Sequence, residues 1–205
     1  MKKRLVFWYG TVIALAVLLI SCAGTALTSK EVNKAYKGKP VSDILIIAIT
    51  GNEDSRRNYE RMFVKRLQSL GLEAIASLDV MEMPADLELK KDAILETVDK
   101  YENDGVIITH LKGKEEKEVY SRGEPVLQSY FGYYQTWHRI AYTPGYSGSR
   151  SILQLETNLF NVKSEALMWS GQSETWNKDR TKEIIRDVID LVVKDLEKNG
   201  LIAPK

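Results

Sequence analysis

Ile44-Leu45-Ile46-Ile47-Ala48-Ile49 is an unbroken apolar run of strand length, rich in β-branched residues and closed by Gly51-Asn52. A half-exposed strand would alternate polar with apolar, so a continuous run predicts a central strand covered on both faces. Downstream, Asp54 or Ser55 can cap a helix on which Tyr59, Met62, Phe63, Leu67 and Leu70 recur at helical spacing, with Gly71 standing where a helix ends. Arg56, Arg57, Glu60, Arg61, Lys65 and Arg66 are expected on the solvent side of that helix. Leu72 to Leu78 alternates as a strand does. Pro84 then precedes a second amphipathic helix with Ile94, Val98 and Tyr101 on one side, ended by Asn103-Asp104-Gly105, and Val106 to Leu111 reads as a third strand. Both crossovers are long enough for parallel pairing.

The second half has a different pattern. Glu115 to Tyr120 is consistent with a short edge strand, and residues 121–150 are rich in Gly, Ser and aromatics without a clean period. Leu153, Leu155, Thr157 and Leu159 alternate with Gln154, Glu156 and Asn158, and after a turn at 161–165 the run Ala166 to Gly171 forms the returning partner of a hairpin. A helix bearing Ile184, Ile185, Val188, Leu191, Val192 and Leu196 closes at Asn199-Gly200. The expected fold is α/β: a mixed sheet with two βα crossovers, a C-terminal β-hairpin and a C-terminal helix packed on the sheet.

Before the first strand, Met1-Lys2-Lys3-Arg4 is a basic start, and Leu5 to Ile20 is nearly free of charge but too short and wrongly flanked for a mature membrane span. That is the pattern of an export signal. Leu19-Ile20-Ser21-Cys22, with Ala23 after it, resembles the lipobox of bacterial lipoproteins. The resemblance implies cleavage before Cys22, a diacylglyceryl group on its thiol and acylation of the new amino terminus. Ala23 in place of an aspartate implies sorting to the outer membrane. Residues 1–21 are thus expected to be a signal peptide, 22–42 the lipidated N-terminus and a tether, 43–200 one α/β domain with 121–150 as a loop or insertion, and 201–205 a tail. The tether expectation rests on a polar, small-residue stretch with Gly24, Gly38 and Pro40.

Leu155-Glu156-Thr157-Asn158-Leu159-Phe160-Asn161-Val162-Lys163 with Leu167-Met168-Trp169-Ser170-Gly171 looks like the strand-turn-strand of a group of small bacterial outer-membrane lipoproteins of unknown function. Arg57-Asn58-Tyr59-Glu60 and Gly71-Leu72-Glu73-Ala74 are similar to that group as well. The resemblance spans roughly residues 43 to 198. It implies a fold akin to the amino-terminal domain of the Tol-Pal translocation protein, to curli secretion channel subunits and to lipoproteins that activate penicillin-binding proteins. It carries over no catalytic residue.

Composition narrows the partners. The chain has 29 Lys+Arg against 28 Asp+Glu, and losing Lys2, Lys3 and Arg4 with the signal leaves the remainder near balance. No electrostatic motive remains for binding nucleic acid. Membrane contact is expected through lipid on Cys22, where two or more acyl chains hold stably and a single one only marginally. Cys22 is the only cysteine, so the fold is expected to stand without disulfides, and His110 and His138 have no ligand spacing for a metal. No cofactor is expected either.

Enzymatic motifs are weak. Gly145-Tyr146-Ser147-Gly148-Ser149 has its second glycine misplaced for a nucleophile elbow, and Gly38-Lys39-Pro40 lacks the rest of a phosphate loop. Lys114-Glu115-Glu116-Lys117-Glu118 reads as a solvated face. His110 shares a strand face with Val106 and Ile108, as a structural imidazole would. The segment from Tyr130 to Tyr146 is dense in aromatics, and Tyr133, Tyr134, Trp137 and His138 are the candidate partner-binding residues; the competing reading is internal packing. The expectation is a lipid-anchored periplasmic binding or assembly module, bound to an envelope protein or a peptidoglycan-associated partner, and not an enzyme. The alternatives are a secretion-pore subunit like the curli channel, disfavoured because 126–142 alternates poorly, and a regulator of a peptidoglycan synthase.

Overall fold

The computed structural model describes residues 24–81, 91–113, 153–175 and 181–204. Six strands, β1 (Thr25–Val32), β2 (Asp43–Ile49), β3 (Glu73–Ala76), β4 (Gly105–Gly113), β5 (Leu153–Asn161) and β6 (Leu167–Thr175), form one sheet in the order β1-β6-β5-β4-β2-β3. The helices are α1 (Glu53–Gln68), the single turn α2 (Ser77–Val80), α3 (Lys91–Lys100) and α4 (Thr181–Lys198). β2 pairs in parallel with β3 and β4, while β4-β5, β5-β6 and β1-β6 are antiparallel. This is the α/β fold with a mixed sheet, two crossovers, a C-terminal hairpin and a C-terminal helix on the sheet.

Every residue of β2 is buried, as its unbroken apolar run requires. Ile44, Ile46 and Ala48 face Tyr59, Phe63 and Leu67 of α1 and, in the same core, Val188, Val192 and Leu196 of α4. Leu45, Ile47 and Ile49 face the other way, onto Ile94 and Val98 of α3 together with Val106, Ile108 and Phe160. Two helices on one face and one on the other thus make three layers. Asn52 accepts from Ser55 N at 2.8 Å as the α1 cap, two positions earlier than Asp54, and Gly71 adopts φ 81°, a left-handed position that follows the helix.

Three expectations are corrected. The stretch 22–42 is not a tether throughout: Thr25–Val32 is an edge strand on β6. Its polarity, which reads as a linker, is that of an edge whose exposed positions Thr28 to Glu31 face solvent. The tail beyond residue 200 is strapped to the domain, with Val41 N donating to Leu201 O at 2.9 Å and Ala203 N to Val41 O at 3.1 Å; Leu201 and Ile202 are buried. Arg56 and Glu60, expected in solvent, are also buried.

The last correction follows from the sheet. β3 stops at Ala76 opposite Ile46, so the Ala48 N–H further along β2 has no β3 partner, and Glu60 takes it at 2.9 Å. The same carboxylate accepts from Ser77 Oγ at 2.8 Å, Leu78 N at 2.9 Å and Arg56 Nε at 3.1 Å, while Arg56 Nη2 donates to Ser77 Oγ at 3.1 Å. Glu60 thus finishes the ladder where the strand ends, and Arg56 balances its charge.

Candidate functional site

Cys22, Tyr133, Tyr134, Trp137 and His138 lie outside the described residues, as does the expected edge strand at Glu115–Tyr120. His110 lies within them, 2% exposed at the upper end of β4, with Glu156 as its register partner on β5. Asn158 donates to Glu156 Oε1 at 3.3 Å on that same face. On the opposite face the hydroxyls of Tyr59, Thr109 and Thr157 form a buried chain, 3.1 Å and 3.0 Å between successive oxygens. Burial pushes the Tyr59 phenol up to about 12, against the opposing effect of its hydroxyl partners, so it stays protonated at neutral pH. Both polar groups are buried, the first on β4 and β5 and the second between the sheet and α1.

The open concavity lies at the other end of the sheet. A groove of about 1210 Å³ is bounded by the β1-β2 connection, the α3-β4 turn and the β5-β6 turn. Its floor is set by Asp104, whose carboxylate accepts from Ser42 N at 2.9 Å, Ser42 Oγ at 3.0 Å and Asp43 N at 2.9 Å. Those three donors leave the carboxylate committed to holding the connection in place. Beside it, Asn103 is buried and donates to Asp43 Oδ1 at 2.6 Å, while its Oδ1 accepts from no described residue.

The walls are basic and amide-rich. Lys37 and Lys39 stand on one side and Lys163 on the other, all exposed, with Asn33, Asn161 and Ser164 between them. Tyr36 donates to Lys39 O at 2.9 Å and folds its ring against Gly38, where any side chain would strike the phenol. Burial and then the nearby Asp104 charge raise the Tyr36 pKa. The opposite wall is fixed by Asn161, whose Oδ1 accepts from Ser164 N at 3.0 Å and Oγ at 2.9 Å and so closes the hairpin turn.

Ammonium groups, side-chain amides and hydroxyls around an open groove can bind anionic or hydrogen-bonding surfaces. Sequence pattern does not reveal this site, because its walls come from a stretch with the composition of a tether and from a hairpin turn. The only local signal was the turn chemistry of Gly38-Lys39-Pro40 and of Asn161 to Ser164; their meeting depends on β1 lying beside β6. Among the described residues, no three His, Cys, Asp or Glu side chains are grouped to hold a metal, and no helix is long and apolar enough to cross a membrane.

No protein-family model and no curated protein matches the chain. Among solved structures it is similar to the PelC dodecamer from Paraburkholderia phytofirmans, at 13% identity over 90% of this chain and 100% of that one, TM-score 0.44. A variant of that dodecamer gives 12% identity over the same shares and a TM-score of 0.45. Lipoprotein GNA1162 from Neisseria meningitidis gives 12% identity over 77% of this chain and 99% of that one, TM-score 0.42.

Proposed function

We propose that the chain is a lipid-anchored protein of the bacterial cell envelope, held at the periplasmic face of the outer membrane by acyl groups on Cys22, and that it works by binding and not by catalysis. The observation that carries this is Leu19-Ile20-Ser21-Cys22 behind a basic start and an apolar core, in a chain with no second cysteine. A lone thiol in an oxidising compartment has no structural partner, whereas acylation gives it one use. In this reading the groove takes an anionic segment of an envelope protein or a peptidoglycan-associated partner, with Lys37, Lys39 and Lys163 supplying the charge. Tyr133, Tyr134, Trp137 and His138 supply a second contact surface, on the strength of their density in the sequence.

Two measurements test it. Cys22→Ala protein should leave the membrane fraction after a high-salt wash, and the parent should carry acyl label; a salt-resistant membrane-bound Cys22→Ala protein refutes the anchor. Periplasmic extract passed over the immobilised chain should yield a partner whose retention falls at least tenfold when Lys37, Lys39 and Lys163 are changed together to Glu. Unchanged retention removes the groove from the reading.

A further inference from the structure

We infer that the end of the sheet carrying Thr25, Leu153 and Thr175 is the end nearer the bilayer, with the groove turned away from it, an inference that rests on acylation of Cys22. Only Ala23 and Gly24 separate Cys22 from the first residue of β1. An extended chain advances roughly 3.3–3.6 Å per residue, so the acylated cysteine stays within about 10 Å of Thr25. Thr25 itself is fixed. It pairs with Thr175, their hydroxyl oxygens are 2.9 Å apart, and β1 stays on β6 as far as Val32.

Further along β1, Lys30 pairs with Asp195 of α4, tying the strand to the helix layer as well as to the sheet. The anchor is therefore joined to a rigid edge. A linker of about twenty flexible residues would span about 25 Å on average and let the domain turn freely, which three residues do not allow.

The rest of this end follows from register. Thr175 pairs with both Thr25 and Leu153, so β1 and β5 start and β6 ends on one line about 10 Å wide. β1 then runs away from that line, and at roughly 3.3 Å per residue Val32 lies about 23 Å from it. The groove begins one residue later, at Asn33. A domain lying on its β1 edge would satisfy the same short junction. That arrangement sets the exposed Thr28, Ser29, Lys30 and Glu31 flush with lipid and strips water from the outer side of β1, whose backbone groups have no strand partner there among the described residues.

The test uses full-length acylated protein on vesicles of phosphatidylethanolamine and phosphatidylglycerol containing a lipid-bound nitroxide quencher. Acylation consumes the Cys22 thiol, so a single introduced cysteine takes the fluorophore. Thr28→Cys, Glu31→Cys and Ser164→Cys place it at increasing distance from the Thr25 end, all at exposed positions. Quenching should fall severalfold from Thr28 to Glu31 and vanish at Ser164, and twenty Gly/Ser residues inserted after Gly24 should flatten that gradient while the protein still floats with the vesicles. Equal quenching at Thr28 and Glu31, or strongest quenching at Ser164, in protein that floats overturns the orientation and leaves the anchor standing. Protein that does not float and carries no acyl mass on Cys22 overturns both.

Discussion

The indole Nε1–H of Trp169 on β6 donates to Oδ2 of Asp195 on α4 at 2.9 Å, with both side chains buried. Trp169 is fully enclosed, so its N–H needs an acceptor inside the core, and the helix brings a carboxylate to it. That carboxylate also takes the Lys30 ammonium from β1 and Asn199 Nδ2 at 3.1 Å. One acid on α4 thus fastens the central hairpin, the N-terminal edge strand and the helix's own C-terminus. Burial pulls the Asp195 pKa up, but Lys30, the Trp169 N–H and the charges of Lys30 and Lys198 outweigh it, holding the carboxyl below the usual carboxylate value.

A depressed folded pKa means that stability from this contact is present above the unfolded value of about 3.9 and is lost as pH falls through the lower folded value. Lys30→Ala should lower stability by about 1 kcal/mol at neutral pH, a modest cost because the ammonium is half exposed. Melting curves of parent and variant should converge as pH drops below about 4. A gap that persists at pH 2 would mean that the lysine acts through its stem and not through Asp195.

Glu60→Ala leaves Arg56 buried without its carboxylate and the Ala48 N–H without its acceptor. Loss of about 3 to 5 kcal/mol is expected in denaturant titration, as for breaking one side of a buried ion pair. Glu53→Ala removes a partner of Arg57 at the same helical spacing, in an exposed pair, and should cost less than about 0.5 kcal/mol.

Those two pairs mark how far the sequence could be read. Arg56 with Glu60 and Glu53 with Arg57 are each opposite charges four residues apart, and local pattern makes both surface pairs. Burial of the first depends on β3 ending two residues short of Ala48, a fact of pairing that no window of sequence contains. Where the sequence is continuously apolar or strictly alternating, as in β2 and β5, pattern sufficed to locate the strand, although the alternation of β5 did not foretell the burial of Glu156 and Asn158. β1 escaped because an edge strand with four exposed polar residues has the composition of a linker. The groove was invisible for a related reason: its walls are three turns distant in sequence, brought together by the place of β1 in the sheet.

Trp169→Ala should cost about 3 to 5 kcal/mol and Leu155→Ala about 2 to 5 kcal/mol, since each empties part of the core between the sheet and the helices. Gly171→Ala tests the same packing from the other side. The indole lies directly over Gly171, so a methyl group there meets the ring and must displace it, at a cost of about 1 to 3 kcal/mol. Intrinsic fluorescence should shift in Gly171→Ala as Trp169 moves; an unchanged spectrum and melting point would place the ring elsewhere.

Tyr59 provides an alkaline counterpart to Asp195. Its phenol, raised to about 12 in the fold, must lose a proton in a buried site where Thr109 holds its oxygen at 3.1 Å. A raised folded pKa means that the stabilisation is complete below the unfolded value of about 10 and declines as pH rises from there through the folded value. The parent should therefore lose stability progressively between pH 10 and 12, beyond what exposed groups contribute. Tyr59→Phe removes the titrating group and one end of the hydroxyl chain, at a cost of about 1 to 2 kcal/mol at neutral pH. Its disadvantage should shrink across the same alkaline window, because only the parent has a phenol that gains from unfolding there. Parallel stability curves for the two proteins up to pH 12 would show that the phenol is hydrated in the native state.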